Sequence, residues 1–295
     1  MDRRDQLRLW TMLILLAALW PVAMRLSAAP NAVSAMAEND SLFSAEVVME
    51  TPAPTAATEE TATPAAAVGF LVEVIWEEDT ALWAGKRVLI YHSHTYEAYE
   101  QVAGAEYVET EKWRTKDESC NVVAVGKALA AHLTALGVEV VHDTTAFEPP
   151  DLDDAYGRSL QMLEERIAAG EQYDLIIDLH RDALSSQSTI KRTVVIGGEV
   201  SARFMVLIGK GTTGGYTEKP DWETNLVIAQ RITDSLNAQV EGIARDVKIK
   251  TGRFNQHIAP CCVLLECGVN TNTLEEVLTG LPYLAQAIAE ALGTE

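Results

Sequence analysis

From Val68 to the C-terminus, short apolar and β-branched runs alternate with segments of helical periodicity. The runs Phe70–Trp76, Arg87–Tyr91, Val138–Val141, Tyr173–Leu179, Thr193–Ile196, Phe204–Ile208 and Val263–Leu265 predict strands. Apolar residues at helical spacing predict helices over Asn121–Leu136, Tyr156–Ala169, Trp222–Val240 and Thr273–Leu292. Gly137 and Gly170 follow the first two, where a left-handed C-cap favours glycine. This alternation predicts an α/β domain over 68–295, a three-layer α/β/α arrangement about a mostly parallel sheet. On that sheet, Thr193–Ile208 reads as an antiparallel hairpin joined through "GGEVSAR". No internal repeat is visible.

The N-terminal segment follows a different pattern. Arg3, Arg4 and Arg8 precede a run from Leu9 to Met24 that holds no charge and is apolar all round. A basic flank before such a run predicts a membrane anchor or signal over 1–26, and the positive-inside rule sends the rest of the chain across the membrane. An uncleaved anchor is favoured because the apolar run lengthens if Arg25 snorkels; cleavage near "LSAA" stays open. Residues 27–67 are rich in Ala, Thr, Pro and Glu and free of glycine, a composition that predicts a disordered spacer. The expected arrangement is therefore a single-pass membrane protein with the 68–295 domain outside the cytoplasm.

Charge narrows the partners. The chain has 43 acidic against 23 basic residues, a net charge of −20, which repels phosphate backbones and argues against a nucleic-acid partner. The four cysteines, Cys120, Cys261, Cys262 and Cys267, contain no CxxC pair and read as buried packing residues, with a disulfide to Cys120 left open.

Chemistry gathers where strands end. In open α/β sheets, ligands bind at the carboxyl ends of the strands. The Val88 strand runs into His92, His94 and Glu97; "YDLIIDLHRDA" ends in His180, Arg181 and Asp182; "CCVLLECG" ends in Glu266. Imidazole and carboxylate suit zinc, and a further carboxylate suits a general base. His132, His142 and His257 lack this placement. Two alternatives use other groups: Ser93 or Cys267 as a nucleophile with His94 or His180, and a glycosidase pair of Asp178 and Glu266, which leaves the histidines unused.

The motifs "YHSHTYEAY", "NVVAVGKALAAHL", "YDLIIDLHRDA", "PDWETNLVIAQRI" and "FNQHIAPCCVLLECGVNTNTLEEV" together resemble the stage II sporulation protein P family. The resemblance implies an amidase-like fold and a zinc-dependent N-acetylmuramoyl-L-alanine amidase. Its substrate would be septal peptidoglycan during engulfment, with an additional cross-link endopeptidase activity known in the family. It implies zinc ligands at His94 and His180 and a catalytic glutamate at Glu266. The amidases place a glutamate ligand at the start of the next helix, where this chain has Asn121, so the third ligand is expected at Glu97, with His92 as the alternative. Arg181 and Asn225 are the candidates for substrate contact. The implied location is the intermembrane space of the sporulating cell, and the implied partners are stage II sporulation proteins D and M. A weakly catalytic wall-binding or scaffolding role is the competing expectation.

Overall fold

The computed structural model describes residues 83–148, 150–185 and 187–293. The expected anchor, the spacer and the strand at Phe70–Trp76 lie outside the described residues. Among the described residues no helix is long and apolar enough to cross a membrane.

The first half of the domain winds strand to helix as its pattern predicts. Strand β1 (Arg87–Tyr91) leads through a long loop to helix α1 (Val122–Ala135), then β2 (Glu139–His142), α2 (Ala155–Ala168) and β3 (Leu175–Asp182). Asn121 starts α1 by accepting a hydrogen bond from the Val123 N–H at 2.9 Å. The glycine after each helix closes it. Gly137 (φ 89°) and Gly170 (φ 87°) are left-handed, and in each case its N–H and the next one bond back into the last turn.

The second half departs from the expected hairpin. Strand β4 (Thr193–Ile196) pairs with β5 (Glu199–Ala202) in a separate two-stranded sheet, across Gly197 and Gly198, both at positive φ. Two glycines of that conformation make the whole turn, so "EVSA" is the second arm rather than part of the connection. Strand β6 (Phe204–Gly209) instead enters the main sheet. Helix α3 (Trp222–Gln239), β7 (Lys248–Lys250), β8 (Cys262–Val269) and α4 (Leu274–Gly293) complete the chain. The six-stranded sheet has the order β2-β1-β3-β8-β6-β7, with every pair parallel except β6 with β8.

Side-chain alternation assigns the two faces. Leu89, Tyr91, Ile176 and Cys262 pack beneath Ala155 and Leu163 of α2. The opposite face carries α1, and α4 packs against both α1 and α3. The domain is thus three layers, α/β/α, about a mostly parallel sheet. Leu175, Ile177 and Leu179 of β3 are fully buried, each contributing about 1.5–3 kcal/mol, so the strand is fixed independently of the polar residues at its end.

Candidate active site

Alternation places three side chains on the α2 face where β3 and β8 end. Tyr91 pairs with Asp178, Asp178 with Leu264, and His180 with Glu266, so Asp178, His180 and Glu266 share that face. Just beyond, the register slips. His180 to Asp182 spans two steps while Glu266 to Val269 spans three, a bulge that contains Gly268 at φ 72°. A Cβ on Gly268 would meet Val277 at 2.9 Å, so only glycine lets β8 bend there without displacing α4.

From β1, a turn over residues 93–96 carries His94 and then Glu97 to the same place. Glu97 is held by its backbone, whose carbonyl accepts from the Val122 N–H at 2.9 Å beside Asn121. The carboxylate of Glu97 therefore reaches the site from the neighbourhood of the α1 start. Asn121 itself is occupied as a cap, with its amide donating to the Thr115 carbonyl at 3.1 Å.

The result is a compact donor set. One ligand atom each from His94, Glu97 and His180 lies within 4.8 Å of the others. Glu97 lies 3.5 Å from Nδ1 of His94 through one oxygen and 3.3 Å from Nδ1 of His180 through the other. Behind His180, its Nε2 meets Oδ1 of Asp178 at 2.9 Å, and Ser93 donates to Asp178 through both its backbone N–H and its hydroxyl at 2.8 Å. A carboxylate behind the far ring nitrogen fixes the tautomer that leaves the other nitrogen free to bind a metal. Tyr156, from the first turn of α2, stacks near His180 (centroids 6.5 Å, 11°) and meets His94 edge-on at 5.2 Å. Phe254 extends this wall, 6.0 Å from Tyr156.

The electrostatics mark a place for positive charge. Burial alone would lower His180, yet Asp178 and Glu97 outweigh it and raise it well above an ordinary imidazole. Burial would raise Glu97, yet His180, His94 and Arg181 hold it well below the usual carboxyl range. Two buried carboxylates around two imidazoles form a set that a divalent cation satisfies, so the residues fit zinc. Glu266 lacks such partners: one buried oxygen has no hydrogen bond, and burial pushes its pKa up to about 8.

Other expected residues fall elsewhere. His92 alternates to the α1 face, fully buried, with Nδ1 2.8 Å from the Leu179 carbonyl and Nε2 2.8 Å from Nε2 of His142, so it is not in the donor set. The guanidinium of Arg181 is spent on the carbonyls of Ala98 (3.0 Å) and Trp113 (3.2 Å), and its backbone N–H donates to Glu97 at 3.0 Å. Arg181 thus organises the loop rather than meeting substrate. Asn225 is fully buried and accepts from the Cys262 N–H at 2.9 Å, at the opposite end of β8, which corrects its assignment to substrate.

Both alternative chemistries fail on geometry. Ser93 is fully buried and its hydroxyl donates to Asp178 at 2.8 Å, so it is closed to a substrate even though it lies 2.9 Å from Nε2 of His180. Cys267 is fully buried with its thiol pushed well up by burial, and all four cysteines are unpaired. Asp178 lies buried behind His180, out of reach for a carboxylate pair. Asp178 as the partner of His180 was nonetheless readable, since "DLH" puts the two on one strand face. Tyr156 had no signal in the sequence beyond its helical register.

Several solved structures resemble this chain. They include the amidase CwlD of Clostridioides difficile in complex with the GerS lipoprotein (16% identity, 70% of this chain, 96% of that chain, TM-score 0.45). Another is the N-acetylmuramyl-L-alanine amidase Ami1 of Mycobacterium smegmatis (18% identity, 72% of this chain, 99% of that chain, TM-score 0.41). Among curated proteins, stage II sporulation protein P of Bacillus subtilis (strain 168) is 25% identical over 216 residues, 70% of this chain. The chain matches 51% of that relative's length, about half. The family model for stage II sporulation protein P (SpoIIP) matches residues 25–289. The chain therefore belongs to the stage II sporulation protein P family.

Proposed function

We propose that this protein is a zinc-dependent peptidoglycan hydrolase that cleaves the amide between N-acetylmuramic acid and the stem peptide of the septal wall during sporulation. The observation that carries the reading is the convergence of His94, Glu97 and His180 on one point, with Glu266 on the adjoining strand. Zinc held by those three residues would supply Lewis-acid polarisation of the amide carbonyl and a lowered pKa for the attacking water.

The chain's own groups do the rest. Asp178 and Ser93 fix the His180 ring, and the Arg181 N–H orients Glu97. Glu266 accepts a proton from the attacking water and returns it to the departing amine. A carboxylate whose pKa is raised toward neutrality is a better base than an ordinary one, and a nearby cation favours its ionised form. The basic flank and apolar run of 1–26 support a membrane anchor, with 27–67 as a tether giving the domain reach across the wall. Family membership supports the intermembrane space as the location and association with stage II sporulation proteins D and M.

The test combines zinc analysis of the purified protein with release of stem peptides from purified sacculi. Stoichiometric zinc together with peptide release is expected. Zinc-free protein that binds sacculi without cleaving them would leave the scaffolding role in its place.

A further inference from the structure

Beyond Glu266 the sheet carries a basic groove that the catalytic groups do not use. Met205 pairs with Glu266 across β6 and β8, and Lys248 and Lys250 pair with Leu207 and Gly209 across β6 and β7. Directly paired residues share a face, so Met205, Lys248 and Lys250 lie on the face of Glu266 and His180. There a cavity of about 420 Å³ opens over Met205, Val247 and Ile190, bordered by Arg203, Arg245 and Lys248. It begins where β3 ends, because Arg245 pairs with Asp182 at 2.8 Å, two residues past His180.

Part of this positive charge is compensated, since Arg245 pairs with Asp182 and Asp246 shares the lining. Arg203 donates to the backbone carbonyls of Gly242, Lys191 and Ala244, which are neutral acceptors. Burial and then the repulsion of Arg245 lower its pKa. Lys248 and Lys250 are exposed on an edge strand, and among the described residues neither has a carboxylate partner at ion-pair distance. Asp246 is the acidic residue of the lining. On a chain of net charge −20, a cationic groove with an apolar floor selects for anions that also carry aliphatic stretches.

We propose that this groove is the subsite for the acidic stem peptide, holding its free carboxylates by Lys248 at its border and by Lys250 two residues along the same edge strand, and its aliphatic parts on Met205 and Val247. The inference rests on the hydrolase reading above. It gives the substrate a direction: the peptide leaves along β6 and β7, past Glu266, which is the group placed to protonate the departing amine.

The experiment uses the full chain and the variant Lys248→Gln/Lys250→Gln, whose exposed positions leave the core intact. Two synthetic muropeptides are compared, one with free stem carboxylates and one with the same groups as carboxamides. The double variant should raise KM for the acidic substrate about tenfold at low salt with kcat nearly unchanged, as two partly screened contacts would. The carboxamide should be handled equally by both proteins, and added salt should erase the wild-type preference for the acid. Equal KM values for both substrates in the wild type, or equal losses on both in the variant, would overturn the subsite. Calorimetry with the free acidic stem peptide separates the two claims. Lysine-dependent binding without hydrolysis of sacculi sinks the hydrolase reading and upholds the groove. Hydrolysis with lysine-independent peptide binding does the reverse.

Discussion

His92 and His94 belong to one tripeptide and end in opposite surroundings. His92 lies under α1, in contact with a carbonyl and a second imidazole, and burial lowers its pKa to about 3. His94 sits in the following turn, half-buried, against Glu97 and 5.0 Å from the ring of His180. One pair, His92 with His142, is stable as two neutral rings. The other, His94 with His180, sits among carboxylates that favour a cation. Residue type is the same in both places, and only the charge of the neighbours separates a packing histidine from a candidate metal ligand.

The sharpest way to break that contrast is to remove each ring in turn. His180→Ala or His94→Ala should abolish zinc binding and hydrolysis, with the fold retained because the β3 core is buried independently of them. Glu97→Gln should weaken zinc far more than Asn121→Ala, since the amide of Asn121 only caps α1. His92→Ala should keep its zinc. Metal analysis decides each case, and full zinc in the His94 and His180 variants would end the assignment.

Next in size is Glu266→Gln, which keeps shape while removing the basic oxygen. A rate loss on the order of 10²–10⁴, with zinc and thermal midpoint nearly unchanged, is expected for a general base. Zinc loss in this variant would make Glu266 a ligand instead.

How much of this contrast was readable in advance follows from its physical origin. Strand and helix runs are written in local periodicity, so β1, α1 and α2 lie within a residue of their expected limits, while β3 starts two residues and ends three residues later than expected. The strand-end position of His94, His180 and Glu266 follows from the same runs. What one strand cannot encode is its neighbour. His142 meets His92 only because β2 pairs with β1 in the register that sets Ile90 beside His142. Arg181 and Asn225 look exposed at element ends, yet tertiary contacts use up their hydrogen bonds. The β4–β5 turn, by contrast, is locally legible in Gly197-Gly198, and the expected hairpin fails because "EVSA" is its second arm and not a connection.

On the packing side of the contrast, Gly126 is the sensitive point. A Cβ there would meet Nε2 of His142 at 2.6 Å and Nε2 of His92 at 2.7 Å. Gly126→Ala should therefore cost about 1–3 kcal/mol through overpacking, against any gain in helix propensity. His92→Ala should cost about 2–4 kcal/mol, leaving a cavity and an unpaired carbonyl. Denaturant midpoints measure both. In each variant zinc content and activity at temperatures below the transition should match the wild type, which is the outcome that keeps the two histidine pairs distinct.

The remaining effect is a pH dependence confined to the packing pair. Burial lowers His142 to about 4, with Asp143 opposing and Lys127 adding to the shift. In the unfolded chain an imidazole titrates near 6.5, so above that pH both states are neutral and the group contributes nothing to the slope. As pH falls from about 6.5 to about 4, the unfolded state takes up a proton that the folded state refuses. Stability then declines, by a total on the order of 2–3 kcal/mol. His142→Gln keeps an N–H for Nε2 of His92 but cannot titrate. Its midpoint at pH 7 should sit slightly below the wild type, and its decline between pH 6.5 and 4 should be shallower by that amount. Carboxylates titrate alike in both proteins, so the difference between the two curves isolates the imidazole. Parallel curves would mean that His142 accepts its proton in the folded state, and that the pair beneath α1 is not the neutral counterpart of the site.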